Sequence, residues 1–419
     1  MRFLLGAFSL SATIFLAGAL SLARAQEPIR IGALYPLSGS LALLGNENME
    51  GARVAVAMLN EKGGIGGHPV ELVTGDAATP DKAQSEAERL VSLEKLDVIT
   101  GTYSSGLAYA ASQVIERHGG IYWETGGIAD GLTKRGFKNF FRVPFTASSN
   151  GQLAAAVAKD LIAPKLGKTP AELTVLVLHE DSDYGTSVAT AAEEGAKAAG
   201  FKVAGRLPYK ASSTDLSPLV LRIRASNANI VIASSYATDA LLIQRQMRQL
   251  NVNVAAFIGT GGIYGLPSFA EGLGPAVNGL FDTEGSALVN PDALSAEART
   301  LLADFRQRFE AKVGRPPSYV GVQGFVGTYL LLHDVLAKTG TTDPAKVRQA
   351  ALALDLPDGS TALGWGIKFG SDADASPGQN LRAFPVAQQW QDGKLVVVAP
   401  AKLKTAEPTN VPLPAWSAR

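Results

Sequence analysis

Two adjacent serines, Ser104 and Ser105, follow a predicted strand over residues 97–100 and open a predicted helix over residues 104–117. Serine hydroxyls and the unpaired backbone N–H groups of a helix start can bind an anion such as a carboxylate. Serine is also a leading helix N-cap residue, so one of the two hydroxyls could serve only to begin the helix. The pair therefore predicts either an anion site or an ordinary helix cap.

Gly126 and Gly127 follow the next predicted strand, which covers residues 120–123. Glycine has no Cβ, so the backbone at this point could approach a ligand closely. A simple turn after the strand would use glycine equally well. Both interpretations stay open at this position.

Tyr184 and Tyr236 each come just after a predicted strand of the second half of the chain, residues 173–178 and 230–234. Ligands of open parallel sheets bind beyond the carboxyl ends of the strands. Either tyrosine alone is more typical of packing. Their equivalent places in successive strand–helix units make both of them candidates for one binding cleft.

The sequence carries no pattern that predicts catalysis or metal binding. The four histidines stand apart, without the spacing that metal ligands need. No G-x-S-x-G motif surrounds Ser105, and Gly167-Lys168-Thr169 lacks the upstream glycine and strand of a phosphate loop. No metal and no cofactor are expected, and an exported hydrolase is kept only as a remote alternative.

Short apolar runs alternate with longer helical patterns along most of the chain. Residues 29–123 read β-α-β-α-β-α-β, and a second α/β unit of similar size covers residues 140–258. This alternation is typical of parallel sheets covered by helices, so the predicted fold class is α/β. Three further helices, over 295–313, 319–338 and 344–354, lack new strands to pack on. We expect them to return to the first lobe.

The first 25 residues indicate export. Arg2 gives a basic start, residues 3–22 are apolar and uncharged, and Ala23-Arg24-Ala25 forms a small-x-small cleavage site. We predict a signal peptide that is removed after Ala25 and a periplasmic mature protein. A membrane anchor is the alternative. The sequence has no Cys, which excludes lipid attachment at an N-terminal cysteine.

The composition excludes several other classes of protein. The 38 Lys and Arg residues balance 38 Asp and Glu residues, so the chain has no basic footprint for nucleic acid. No segment after the N-terminus approaches about 20 uninterrupted apolar residues, the length of a membrane span. Hydrophobic residues make up 46% of the chain, and without cysteine the core must form by burial alone.

The chain resembles the type I periplasmic solute-binding proteins of ABC transporters, in the leucine/isoleucine/valine-binding group. The matching motifs include Ile31-Gly32, Pro36-Leu37-Ser38-Gly39, Asn60-Glu61-Lys62-Gly63-Gly64-Ile65, Gly75-Asp76-Ala77, Gly101-Thr102-Tyr103-Ser104-Ser105, Leu132-Thr133-Lys134-Arg135-Gly136 and Asp183-Tyr184-Gly185. The resemblance implies two Rossmann-like lobes with parallel sheets, joined by a three-strand hinge. Such proteins trap a small solute and deliver it to an inner-membrane permease. A monomer without catalysis is expected, and presentation of the ligand to a sensor is an alternative to transport.

The resemblance also implies a division of the chain into lobes. Lobe 1 would comprise residues 28–145 and 283–362, and lobe 2 with the hinge tail would comprise residues 146–282 and 363–400. Three prolines after residue 400 predict that residues 401–419 form a loosely held end.

Site residues carried over by position follow from the resemblance as well. Ser105 matches the serine that holds the ligand carboxylate, and Gly126 and Ile128 fall opposite the ligand's polar head. Tyr184 and Tyr236 match tyrosines of the second lobe. Leu44 falls where amino-acid binders often carry an aromatic residue.

Two departures from the family pattern concern the ammonium group of an amino acid. The acidic partner of that ammonium falls at Gly261, and a threonine falls at Ile128. A buried ammonium without a carboxylate partner costs several kcal/mol in effective terms. The pattern therefore favours a carboxylate that lacks an α-ammonium, such as an aromatic or keto acid. Glu124, Asp239 or Glu284 could restore a cation partner, which keeps amino acids and amides as the alternative.

Overall fold

The computed structural model describes residues 26–419, and the predicted signal peptide with its cleavage site lies outside the described residues. The short apolar runs of the α/β units form the strands, most of which are buried. The strands are β1 (Ile29–Tyr35), β2 (Val70–Asp76), β3 (Val98–Gly101), β4 (Ile121–Glu124), β5 (Phe140–Arg142), β6 (Thr174–Glu180), β7 (Lys202–Tyr209), β8 (Ile230–Ser234), β9 (Ala256–Thr260), β10 (Phe281–Glu284), β11 (Val386–Gln391) and β12 (Lys394–Ala399).

The strands form two sheets, one in each lobe. The first sheet has the order β2-β1-β3-β4-β5, and all of its strands are parallel. The second has the order β12-β11-β10-β9-β8-β6-β7, with antiparallel pairing only at β10–β11 and β11–β12. The predicted pair of α/β lobes is confirmed. The chain passes between the lobes after β5, after β10 and before β11, so three segments join them.

Helices cover both sheets. They are α1 (Ala42–Glu61), α2 (Pro80–Glu88), α3 (Ser105–Arg117), α4 (Ala147–Val157), α5 (Asp183–Ala198), α6 (Ser217–Ser226), α7 (Ala237–Gln249), α8 (Pro267–Leu273), α9 (Ala296–Val313), α10 (Tyr319–Tyr329) and α11 (Pro344–Leu352). Side-chain caps fix several starts. Ser295 Oγ accepts the N–H of Ala298 at 3.0 Å at the start of α9, for example. The helices α2, α4 and α10 continue into π-helical turns.

The late helices return to the first lobe, as the sequence predicts. Val347 of α11 and the leucines of the π-helical turn Leu330–Leu336 pack in one apolar cluster with Ile31 and Val98 of the first sheet. Within the described part of the chain, Tyr319–Thr339 is the one helical stretch long and apolar enough to cross a membrane. Most of it is buried, so it serves as a core helix of the first lobe.

Residues 363–382 lie with the first lobe, which corrects the predicted boundary at residue 363. The Phe369 ring packs edge-on against the rings of Trp123 and Phe141, with centroids 5.2 Å away in both cases. The N–H of Arg142, at the end of β5, donates to Gly378 O at 2.8 Å. The chain rejoins the second sheet only at β11. The glycine-rich, polar stretch before β11 has no helical or strand period that could mark this boundary.

The end of the chain packs against the second lobe, so the prediction of a loosely held tail is wrong. Leu403, Leu413 and Trp416 are buried. The indole Nε1 of Trp416 donates to Val252 O at 2.7 Å, and the N–H of Leu413 donates to Ala255 O at 2.8 Å. The prolines keep the segment extended, while the large apolar residues between them anchor it.

Candidate functional site

A cavity of about 30 Å³ lies between the two lobes, at the carboxyl ends of the strands. Its walls consist of Tyr103, Ser105, Gly126, Ile128, Tyr184, Ser235, Tyr236, Gly261, Gly262, Glu284, Tyr319 and Gln323. The volume is enough for about one or two water molecules. The lobes must therefore separate, or these side chains must move, before a solute can bind.

The cavity brings together six of the eight residues that the sequence singles out. They are Ser105, Gly126, Ile128, Tyr184, Tyr236 and Gly261. Ser104 and Leu44 lie elsewhere. Ser104 Oγ is 3.4 Å from the Tyr236 hydroxyl, a contact that crosses from the first lobe to the second. Leu44 is buried in an apolar cluster with Ile263 and Val320, because α1 turns this aliphatic side chain towards the lobe interface instead of the cavity.

Ser105 is held in place at the start of α3. Its Oγ accepts the N–H of Ala129 at 3.0 Å, which leaves the hydroxyl proton for another acceptor. The N-cap residue is Ser104, and its side chain makes no capping hydrogen bond. Within the described residues, no side chain accepts the N–H groups of the first turn of α3, and this wall of the cavity suits a carboxylate.

Glu124 is buried beneath the cavity and has no acceptor left for a ligand. Its carboxylate accepts the N–H groups of Gly126 and Gly127, both at 2.6 Å, and that of Thr102 at 2.9 Å. Burial raises the pKa of Glu124, and these donors oppose the shift. A Cβ at Gly126 would lie 2.4 Å from Tyr103 Cα, so this glycine is needed for the loop that wraps the carboxylate.

Asp239 is the second acid that the sequence suggests as a cation partner, and it also lies outside the cavity walls. Its Oδ2 accepts the Tyr209 hydroxyl at 2.7 Å and the N–H of Tyr236 at 3.2 Å, at the start of α7. Burial raises the pKa of this carboxyl group. Its contacts give it a structural role at the helix start.

Glu284 is the acid among the three that reaches the cavity. It ends β10 and is 6% exposed. The hydrogen bond that it accepts within residues 26–419 is a long one, 3.3 Å from the N–H of Gly285. Burial raises the pKa of Glu284 to about 8. Glu284 is a polar residue at the end of a strand, and the same position identifies Tyr184 and Tyr236 as candidates. The sequence therefore contained a signal for Glu284 as a site residue.

The helix α10 supplies two cavity residues that sequence reasoning missed, Tyr319 and Gln323. They are four residues apart and therefore share one helix face. Gln323 Oε1 is buried and has no hydrogen-bond partner within the described residues, while the Tyr319 hydroxyl faces Glu284. Because an unpaired buried polar group costs about 1–3 kcal/mol, the Gln323 oxygen suits a site that a bound donor completes. The sequence marks this helix only as apolar core.

Gly261 shows why no acid stands at the position where the resemblance places one. Its φ of 115° is a conformation that favours glycine. A Cβ at this position would lie 2.7 Å from the Tyr184 hydroxyl and 2.8 Å from Ser235 O. The backbone and its neighbours therefore close this position to any side chain.

Comparisons with known proteins identify the family of this chain. Residues 28–394 match the family described as "Periplasmic binding protein". The Leu/Ile/Val-binding protein homolog 8 of Brucella abortus is 39% identical over 411 residues, which cover 97% of this chain and 98% of the relative.

Two solved structures share the fold. The branched-chain amino acid transporter substrate-binding protein LivJ from Streptococcus pneumoniae, in complex with isoleucine, aligns with a TM-score of 0.73 and 22% identity, over 89% of this chain and 100% of its own. An ABC transporter solute-binding protein from R. palustris, in complex with benzoate, aligns with a TM-score of 0.73 and 23% identity, over 90% and 98%. The chain belongs to the periplasmic binding protein family, as a type I solute-binding protein of the ABC-transporter group that includes the branched-chain amino acid binders.

Proposed function

We propose that this protein is the extracytoplasmic component of an ABC importer, which traps a small carboxylate-bearing solute between its lobes and delivers it to an inner-membrane permease. The observation that carries the proposal is the cavity between the lobes, with Ser105 and the uncapped start of α3 on one wall. Selection comes from lobe closure over the solute, without catalysis. The mature protein acts in the periplasm as a monomer after removal of residues 1–25.

The solute class that we propose is a carboxylate without an α-ammonium, with aromatic and keto acids favoured. The closed position at Gly261 supports this class, because no acid can stand there. The rings of Tyr184 and Tyr236, with centroids 5.6 Å apart, offer flat surface for an aromatic solute. The benzoate complex of an R. palustris relative shows that this fold accommodates such a ligand.

A branched-chain or other amino acid is the second candidate. The position of Glu284 in the cavity wall favours it, because this carboxylate could pair with an ammonium group. The Leu/Ile/Val-binding names of the Brucella relatives point the same way. The two candidates make opposite predictions for leucine.

A thermal-shift screen of aromatic acids, keto acids, amides and amino acids tests the proposal. We expect a carboxylate without an α-ammonium to bind with a micromolar Kd or better, about −8 kcal/mol. Leucine, isoleucine and valine should bind weakly or not at all. At 100 times its Kd, the solute should stabilise the protein by about 2.7 kcal/mol.

Solution scattering of the same samples provides the second measurement. The bound solute should reduce the radius of gyration, because two hinged lobes close on it. An unchanged scattering curve at saturation would count against the trapping mechanism. Tight binding of leucine would instead move the assignment to the amino-acid alternative.

Substitution of Ser105 tests the anion wall. We expect Ser105→Ala to weaken binding of the screened carboxylate by about 1.5–3 kcal/mol, the range for a hydrogen bond to a charged group. Isothermal titration calorimetry measures the loss. Ser112→Ala is the matched control, because Ser112 is buried on the same helix but lies outside the cavity walls. Equal affinities of the two variants would remove Ser105 from the site.

A further inference from the structure

Two buried carboxyl groups stand on one face of β10. Asp282 and Glu284 are two residues apart, so their side chains point to the same side of the sheet. Asp282 is 1% exposed and Glu284 is 6% exposed. No ion pair formed within residues 26–419 includes either residue. Buried carboxyl groups without a cation stay protonated, so a cation that enters the cavity would let Glu284 ionise and pair with it.

We propose, building on the function proposed above, that the solute carries a protonated amine several bonds away from its carboxylate, and that Glu284 receives this amine while the start of α3 receives the carboxylate. The solute is then a zwitterion without an α-amine, for example an ω-amino acid or an aminoalkyl aromatic acid.

The wall around Glu284 includes the amide oxygen of Gln323 and several tyrosine hydroxyls, all of which can accept hydrogen bonds. Gln323 is 3% exposed and its Oε1 has no partner within the described residues, while the Tyr319 hydroxyl faces Glu284. An alkylammonium group has three N–H donors, enough to satisfy these acceptors together with Glu284. None of the cavity-lining residues within 26–419 is Lys, Arg or His. A solute amine would therefore be the cation of the site.

The strand order sets the distance between the two charges. The contact of Ser104 with Tyr236 places the start of α3 opposite the end of β8. The strand β9 follows in the sheet and leads to Gly261, which cannot carry a side chain. Glu284 ends β10, one strand further, and Thr283 pairs in register with Thr260. Because neighbouring strands lie about 4.8 Å apart, Glu284 is displaced by about one strand spacing from position 261, where the resemblance places the partner of an α-ammonium. An amine that lies several bonds from its carboxylate matches this displacement.

Matched pairs of solutes test the inference on the purified protein by calorimetry. The pairs are γ-aminobutyrate with butyrate, δ-aminovalerate with valerate, and para-(aminomethyl)benzoate with para-methylbenzoate, with leucine as the α-amino acid. Within at least one pair, the amine should bind about 10- to 100-fold more tightly than its neutral partner. Glu284→Gln should abolish that preference. Glu194→Gln, an exposed substitution in the same lobe, should leave it intact.

The ligand-free protein provides a second readout. The titratable groups that face Glu284 are Asp282, Tyr103, Tyr184 and Tyr319. Burial raises the pKa of Glu284 from 4.5 to about 8, so the folded protein holds this proton more tightly than the unfolded chain does. Stability is therefore lost as pH rises from about 4.5 to about 8. Glu284→Gln should raise the Tm at pH 8 more than at pH 5, whereas a merely structural Glu284 would give a lower Tm at both values.

The outcomes separate this inference from the proposed function. Neutral acids that bind as tightly as their amine partners, with no effect of Glu284→Gln, overturn the inference and leave the proposed function standing. Leucine binding more tightly than every ω-amino acid also overturns it. A failure of every acid, keto acid and amino acid to bind would overturn both.

Discussion

Replacement of Trp416 by alanine should lower the free energy of unfolding by about 3–5 kcal/mol, the usual cost of removing a buried tryptophan. Trp416 is 5% exposed although only three residues follow it in the sequence. Its indole Nε1 donates to Val252 O at 2.7 Å, and its backbone N–H donates to Asn253 Oδ1 at 2.9 Å. The substitution removes the large apolar contact and leaves a buried carbonyl oxygen unpaired.

Urea-induced unfolding measures this effect. Trp416→Phe, which keeps a ring but removes the Nε1 donor, should cost only part of the stability that alanine costs. Glu407→Ala, in an exposed part of the same tail, should stay within about 0.5 kcal/mol of the parent protein. If Trp416→Ala also fell within that range, the tail would be loosely held in solution, as its prolines suggest.

Introduction of an acid at Gly261 should destabilise the protein by about 3–5 kcal/mol and should not create an amino-acid site. Gly261→Asp combines a φ of 115° with a Cβ only 2.7 Å from the Tyr184 hydroxyl and 2.8 Å from Ser235 O. The backbone strain costs about 1–3 kcal/mol, and a new buried carboxylate adds the cost of its desolvation. We expect leucine affinity to stay unchanged.

Gly200→Asp is the matched control for this substitution. Gly200 has a φ of 89°, but a Cβ there would have no neighbour within 4 Å. It should therefore cost only the backbone term, about 1–2 kcal/mol. Equal destabilisation of the two variants would show that Tyr184 and Ser235 do not close position 261, and a gain of leucine affinity in Gly261→Asp would show that the position accepts an ammonium partner.

The alternation of elements could be predicted from the sequence because each element carries its own period. The run at residues 29–35 is mostly apolar, and it forms β1. The run at residues 230–234 forms β8 in the same way. Helix bounds differ by one or two residues, as for α9, which starts at Ala296 instead of the predicted residue 295. Local apolar pattern does not define where a helix first gains its tertiary contacts.

Features that depend on contacts between distant parts of the chain could not be predicted. Phe369 packs on Trp123, and Trp416 packs on Val252, across more than 150 residues of sequence in each case. A single sequence shows that such residues are apolar but not which surface buries them. The prediction of Leu44 as a site residue is wrong for the same reason. Only the packing of α1 decides whether this side chain faces the cavity or the lobe interface.

Some residues of the candidate site could be predicted from the sequence, and others could not. The order of residue types predicts that polar and aromatic residues follow the ends of parallel strands. This rule brings Ser105, Tyr184 and Tyr236 to one cavity, since parallel strands bring their carboxyl ends to one edge. The choice among the three acids depends on contacts that form only in the folded protein. Glu124 accepts several backbone N–H groups, and Asp239 lies outside the cavity walls, where it accepts the Tyr209 hydroxyl and the N–H of Tyr236. Glu284 lies in the cavity wall with one long hydrogen bond from the N–H of Gly285. Hydrogen-bond saturation and burial are properties of the assembled site, so the residue type at these positions cannot reveal them.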